Sequence, residues 1–139
     1  MGLIHTSKAV IGTADCDVLG HMNVARYHAL CNHNGFGMQT AMGWPPGAAR
    51  GGLRLSFAVV KSESEFRSEV LAGETLIVMT DIARIGRKSA SFRNRIERDD
   101  GKPVFRSVWH SACLNLDTRR AEVIPDNFRA KLETYLNPD

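Results

Sequence analysis

The chain has 139 residues, of which 43% are hydrophobic and 24% are charged, and its formal net charge is +3. This length fits a single domain over residues 1–139. No apolar run approaches the roughly 20 residues that cross a bilayer, so we expect a soluble protein with no membrane partner. The arginines are dispersed and do not form a basic helix, which argues against a nucleic-acid partner.

Three cysteines, Cys16, Cys31 and Cys113, are scattered along the chain without the spacing of metal ligands. An odd, dispersed set of cysteines suits a reducing compartment better than a disulfide framework, and we therefore expect a cytoplasmic protein without a metal site. The first residues lack the basic and apolar pattern of a secretory signal, which agrees with that expectation.

The first third of the chain predicts a strand, a turn-rich segment and a long helix. Residues 2–12 alternate loosely and predict the strand, and the helix is expected from about Asn23, a plausible N-cap, to Met42. The consecutive prolines at 45 and 46 end the helix, and the loop through Gly51 and Gly52 is a candidate lid or rim of a substrate channel. One helical face is expected to be buried; it carries Val24, Tyr27, Leu30, Cys31, Met38, Ala41 and Met42.

The rest of the chain has the two-residue period of strands with one buried face. The dipeptide Asp100-Gly101 separates the last two strands and predicts a tight antiparallel hairpin. Pro125 begins a short C-terminal helix, and one long helix against one antiparallel sheet gives an α+β domain. The apolar positions of the four predicted strands are Leu55, Phe57 and Val59; Leu76 and Val78; Ala90, Phe92 and Ile96; and Val104, Val108, Ala112, Leu114 and Leu116.

The segment Asp15–Tyr27 reads DCDVLGHMNVARY. It resembles the Asp-x-Asp-x-x-Gly-His-x-Asn-x-x-x-Tyr opening of hotdog-fold acyl-CoA thioesterases, the broad 4-hydroxybenzoyl-CoA thioesterase-like family. The resemblance implies a hotdog fold, in which an antiparallel sheet wraps around a long central α-helix. It also implies hydrolysis of an acyl-CoA to a free acid and coenzyme A, which is part of the substrate, so that no cofactor is needed. A homodimer is the minimum assembly that it implies, and a homotetramer is the alternative.

The same resemblance assigns roles within the motif. Asp17, the second acid, matches the catalytic carboxylate, as a general base or a nucleophile, and the backbone N–H of Val24 matches the group that polarises the thioester carbonyl. His21 acts either in acid–base catalysis or by fixing the loop through a hydrogen bond. Asn23 completes the catalytic constellation, and Tyr27 is expected to contact substrate.

Two further segments bear on the site. Residues 23–43 contain no Asp or Glu, so the helix offers no alternative carboxylate and Asn32 at most orients water or substrate. The connection Gly86-Arg87-Lys88-Ser89 resembles the Gly-x-x-Ser turn that contacts coenzyme A in this family, where Arg87, Lys88 and Ser89 would hold phosphates. An ordinary solvated hairpin remains the alternative for these residues.

Two other functions on the same scaffold stay open at this point. One is a hydratase or dehydratase of acyl thioesters, and the other is a noncatalytic module that binds acyl-CoA. His110 alternates with apolar residues and is expected in the interior, whereas Cys16 is not expected to be a nucleophile because carboxylates flank it.

Overall fold

The computed structural model describes residues 2–45 and 54–139, and the predicted loop through Gly51 and Gly52 lies outside these residues. Its core is one five-stranded antiparallel sheet with the strand order β1-β3-β4-β5-β2. The long helix α1 packs on this sheet, which confirms the expected α+β class. The elements are β1 (His5–Val10), α1 (Val24–Ala41), β2 (Leu55–Phe66), β3 (Thr75–Ile85), β4 (Ser89–Arg98), β5 (Pro103–Asn115) and α2 (Asp126–Glu133).

The start of α1 is set by Asn23, as the sequence predicts. The side chain of Asn23 accepts a hydrogen bond of 3.0 Å from the backbone N–H of Arg26. The helix ends at Ala41, and Gly43 follows with a φ of +78°, a conformation that favours glycine. The first strand is shorter than expected, His5–Val10 instead of residues 2–12. Among the described residues, neither helix is long and apolar enough to cross a membrane.

The buried face of α1 differs in part from the predicted one. Leu30, Cys31 and Met38 are buried as expected, but the Val24 side chain is 59% exposed and Ala41 is also exposed. Val24 borders a groove that is open to solvent. Two polar residues, Asn34 and Gln39, lie on the buried face instead.

A buried hydrogen-bond network centred on Asn34 fixes α1 against three strands. The Asn34 amide donates to the His5 carbonyl at 3.0 Å and to the Thr80 hydroxyl at 2.8 Å, and its oxygen accepts from Ser7 at 2.7 Å. The Thr80 hydroxyl in turn donates to Asn94 Oδ1 at 3.0 Å. The network therefore joins the middle of the helix to β1, β3 and β4.

The β4–β5 hairpin is confirmed. The backbone N–H of Gly101 donates to the Arg98 carbonyl at 2.9 Å, and the N–H of Arg98 donates to the Lys102 carbonyl at the same distance. Gly101 has a φ of +90°, which explains the glycine in this tight turn.

The predicted buried face of β5 is largely wrong. Of the five apolar residues expected inside, only Val104 is buried, and the other four are half-buried. Cross-strand register explains the difference, because Ser107 lies opposite the buried Asn94 and Ser111 lies opposite the buried Ala90. The inner face thus carries polar residues; those buried on it are Phe105, Ser107, Ser111 and Cys113.

His110 also departs from its expected interior position. Its side chain is 39% exposed, on the face of the sheet opposite α1. Its Nδ1 lies 2.9 Å from the Ser91 hydroxyl, and its Nε2 lies 3.6 Å from the Glu63 carboxylate. The alternation of β5 places His110 on the outer face, where it meets Ser91 of β4 and Glu63 of β2.

Candidate active site

The turn that carries Asp17 is closed by backbone hydrogen bonds. The N–H of Asp17 donates to the His21 carbonyl at 3.1 Å, and the N–H of Gly20 donates to the Asp17 carbonyl at 3.0 Å. Gly20 has a φ of +84°, in the left-handed region that side chains disfavour. The glycine of the sequence motif therefore has a direct structural role, since it lets the chain reverse between Asp17 and the start of α1.

The carboxylates of Asp15 and Asp17 have different surroundings. One oxygen of Asp15 lies 3.0 Å from Arg26 Nε, and the other accepts from the Gly12 N–H at 2.8 Å. Asp17 is exposed, and its Oδ1 accepts from the Leu19 N–H at 2.8 Å. No described residue donates a hydrogen bond to its second oxygen. Asp15 is thus held in a structural ion pair, whereas Asp17 keeps one oxygen available for chemistry.

The N-terminus of α1 offers unpaired backbone donors. Asn23 caps the N–H of Arg26, but none of the described residues accepts a hydrogen bond from the N–H of Val24. The first turn contains no acidic residue that would neutralise the positive end of the helix dipole. This helix start therefore has the unpaired donor and the positive dipole end that favour a negatively charged oxygen.

A groove of about 330 Å³ lies beside this helix start and brings three predicted site residues together: His21, Val24 and Tyr27. His21 Nδ1 lies 3.1 Å from the Met22 carbonyl oxygen. A carbonyl only accepts, so this contact needs a proton on Nδ1 and leaves Nε2 as an acceptor in the neutral ring. This hydrogen bond fits the loop-fixing role considered for His21.

Tyr27 is buried more deeply than a substrate contact requires. Its side chain is 4% exposed, and its ring packs edge-on against Phe66 with a centroid distance of 5.1 Å. The hydroxyl lies 3.5 Å from the Ser68 carbonyl, at the limit of a hydrogen bond. Burial raises the pKa of Tyr27, so the phenol stays neutral at physiological pH. Its contact with substrate stays a prediction.

The residues expected to hold phosphates lie far from Asp17 within one chain. The start of β3, at Thr75, pairs with Val10 near the helix start, whereas Arg87 follows the other end of this 11-residue strand. At about 3.3 Å per residue, the strand separates the two regions by roughly 30 Å. One chain therefore does not bring Arg87, Lys88 and Ser89 to the candidate catalytic turn.

The Gly86–Ser89 turn is nevertheless well defined. The N–H of Gly86 donates to the Ser89 carbonyl at 2.7 Å, and a Cβ at position 86 would lie 2.6 Å from Ser89 Oγ. The carbonyl of Lys88 accepts from Cys113 at 2.8 Å. Because the backbone is fixed in this way, the exposed side chains of Arg87 and Lys88 extend from a rigid turn.

Asn32 lies away from the start of α1. It is exposed and follows Val24 by eight positions of helix, about 12 Å along the axis. It borders a second cavity, between α1 and the sheet, together with Cys31 and Gln39. Burial raises the pKa of the Cys31 thiol to about 12, so this thiol is not a nucleophile at neutral pH.

The sequence reasoning missed the buried polar residues near this second cavity, notably Gln39 and Asn94. The sequence did indicate that another buried polar residue, Asn34, faces the sheet, because Asn34 falls seven positions after Tyr27 and so on the same face of the helix. No such signal existed for Asn94, whose burial depends on strand register. Among the described residues, no three potential metal ligands come together.

Comparison with known proteins identifies the family. The model of the thioesterase-like superfamily matches residues 11–132. No curated protein matches the chain.

Solved structures with low sequence identity share the fold. A 1,4-dihydroxy-2-naphthoyl-CoA thioesterase from Synechocystis is 15% identical, with a TM-score of 0.82 over 93% of this chain and 95% of that one. A protein from Staphylococcus aureus, solved in complex with CoA, is 17% identical, with a TM-score of 0.88 over 97% and 85%. A predicted thioesterase from Bacillus stearothermophilus is 23% identical, with a TM-score of 0.82 over 99% of each chain.

These similarities confirm the hotdog fold that the Asp15–Tyr27 motif implied. The family match spans the turn that carries Asp17, the long helix and all strands after it. The chain is therefore a hotdog-fold enzyme that belongs to the thioesterase-like superfamily.

Proposed function

We propose that this enzyme hydrolyses an acyl-CoA thioester to a carboxylic acid and coenzyme A, with Asp17 as the catalytic carboxylate. The observation that carries the proposal is the pairing of two groups at one turn: a carboxylate with one oxygen unengaged, and the Val24 N–H without an acceptor among the described residues. The Staphylococcus aureus relative solved with CoA supports the choice of ligand.

Two routes through Asp17 fit this arrangement. As a general base, the carboxylate takes a proton from water, whose oxygen attacks the acyl carbon; collapse of the intermediate breaks the C–S bond and releases the thiol. As a nucleophile, it forms a mixed anhydride and releases the thiol first, and water then hydrolyses the anhydride. In both routes the Val24 N–H stabilises the oxyanion, a contribution of about 2.7–4 kcal/mol for one donor in other enzymes.

The proposal includes a homodimer as the active assembly, with a homotetramer as the alternative. Exposed apolar side chains lie at the catalytic turn, where Val18 and Leu19 are 98% and 73% exposed, and along the edge strand β2, where Val60 is 72% exposed. Such surfaces favour association, and β2 has an unpaired edge within the described sheet. A second copy can also supply the Arg87–Ser89 turn that one chain keeps roughly 30 Å away.

Thiol release from a panel of short, long and aromatic acyl-CoAs tests the proposal, with Asp17→Asn as the main variant. We expect its kcat to fall by about 10²–10⁴-fold, the usual contribution of a general base. Asp15→Asn is the matched control, because it removes the neighbouring carboxylate that pairs with Arg26 and should retain most of the activity. Equal turnover by Asp17→Asn and the wild type would exclude Asp17 as the catalytic group.

A further inference from the structure

The second cavity, between α1 and the inner face of the sheet, has a volume of about 60 Å³. Its mouth is marked by exposed residues, Phe36 at 40% and Val59 at 50% exposure. Aromatic rings form its walls: Phe57, Phe92 and Trp109. It is distinct from the groove beside the helix start, since the two share no lining residue.

Three residues that line this cavity carry buried N–H groups without an acceptor among the described residues: Gln39 Nε2, Asn94 Nδ2 and Trp109 Nε1. Gln39 is 6% exposed and Asn94 is 1% exposed. The Asn94 amide is oriented by its oxygen, which accepts from the Thr80 hydroxyl at 3.0 Å, so its nitrogen remains a donor. Buried donors are rarely left unpaired, because each loses its hydrogen bonds to water on folding.

The chemistry of the lining selects the kind of group that fits. No charged side chain is among the described residues that line the cavity, and all three unpaired groups are neutral donors. They match a neutral oxygen acceptor, whereas a carboxylate would be buried without a cation. The volume corresponds to roughly four waters at 10–15 Å³ each, which is room for the end of a ligand and not for a long alkyl chain.

We infer that this cavity selects acyl groups that carry a hydroxyl or ketone oxygen away from the thioester, with Gln39, Asn94 and Trp109 as the residues that determine this specificity. The inference rests on the proposed function, because it takes the acyl part of the thioester as the ligand. Cys31, the first helical residue of the lining, follows Val24 by seven positions, about 10 Å along α1. A medium-length aliphatic acyl group spans that distance within one chain, whereas a single aromatic ring does not.

The kinetic test compares pairs of acyl-CoAs that differ by one hydroxyl, one pair aromatic and one pair medium-chain aliphatic. In the wild type, kcat/KM should favour the hydroxylated member of at least one pair by about tenfold or more. The pair that shows this preference identifies whether the recognised oxygen belongs to an aromatic or to an aliphatic acyl group. Trp109→Phe and Gln39→Met should each lower this preference about 3- to 10-fold. The member without the hydroxyl is the control for folding, since damage to the protein lowers the turnover of both members equally. Equal loss for both members, or no preference in the wild type, would overturn the inference.

A binding test separates this inference from the proposed catalysis. Thioether analogues of the same pairs, which cannot be hydrolysed, are titrated into the wild type while tryptophan fluorescence is recorded. We expect tighter binding of the hydroxylated analogue and a smaller difference in Gln39→Met, which keeps both tryptophans as reporters, even if no thioester is turned over. Equal affinity of the two analogues would mean that water satisfies the three donors, and the specificity role would be refuted.

Discussion

Replacement of Asn23 by alanine separates the role of this residue as a helix cap from a contact with substrate. Asn23 Oδ1 accepts a 3.0 Å hydrogen bond from the N–H of Arg26, a donor of the first turn whose other acceptor is the Asn23 backbone carbonyl at 3.1 Å. Loss of such a cap typically costs about 1 kcal/mol. We therefore expect a measurable loss of stability even if Asn23 never touches the substrate.

The corresponding change in melting temperature follows from the chain length. Unfolding entropy is about 2.1 cal/mol/K per residue, which gives about 0.29 kcal/mol/K for the 139 residues. A loss of about 1 kcal/mol then lowers Tm by about 3 °C. Only one hydrogen bond is removed, so the cooperativity of unfolding should not change.

The assay measures Tm by circular dichroism and kcat/KM by thiol release for the wild type, Asn23→Ala and Asn23→Ser. Serine is also a strong N-cap, so Asn23→Ser should regain most of the lost stability. If Asn23 acts only as a cap, Asn23→Ser regains activity as well; if it contacts substrate, stability returns and activity does not. A Tm of Asn23→Ala equal to that of the wild type would refute the capping argument.

Three further predictions concern stability. Arg93→Met removes the two 2.9 Å hydrogen bonds of the guanidinium to the 1% exposed Asp81, which keeps Arg95 at 3.5 Å and an Asn137 hydrogen bond of 3.2 Å. Urea unfolding should therefore show a loss of about 3 kcal/mol, the low end for a broken buried ion pair, and Asp81→Leu in the same chain should largely reverse it; equal losses in the single and double variants would contradict this. Gly86→Ala places a Cβ 2.6 Å from Ser89 Oγ, so this hydroxyl must rotate away, and the variant should lose less than the roughly 1–3 kcal/mol of an overpacked core. Adding Ser89→Ala should remove the loss in Tm, and a loss that persists in the double variant would show that the backbone of the turn is strained instead. The pKa of Cys31 is raised from 9.0 to about 12, so the folded state retains a proton that the unfolded state loses, and unfolding free energy should fall as pH rises from about 9 towards 12. Urea titrations in that range should show a smaller fall for Cys31→Ala, and identical pH profiles would disprove the burial effect.

Local signals in the sequence predict the elements of this fold. Asn23 marks the start of α1, and the Asp100-Gly101 turn determines the pairing of β4 with β5, because both depend on residues close in the chain. The Asp15–Tyr27 motif also leads to the family and to the turn that carries Asp17. These features need no knowledge of distant contacts.

Features that depend on distant contacts were not predicted. The apolar residues of β5 suggested one buried face, but register with β4 places Ser107 and Ser111 against the interior instead. The burial of Asn34 depends on Thr80, which lies 46 positions away in the chain. The distance between Arg87 and the turn that carries Asp17 likewise depends on which end of β3 each one adjoins, and a motif does not contain that information.

The network around Asn34 has a consequence for the N-terminal end of the helix. A slip of α1 by one residue would translate it by about 1.5 Å and rotate it by about 100°, and would break the hydrogen bonds of Asn34 to β1 and β3 at once. Each buried group left unpaired costs about 1–3 kcal/mol, so the network selects one axial position of the helix. The position of the Val24 N–H is thereby fixed by a side chain ten residues away, and a substitution at Asn34 is expected to shift the donor that we propose for the oxyanion without touching the substrate.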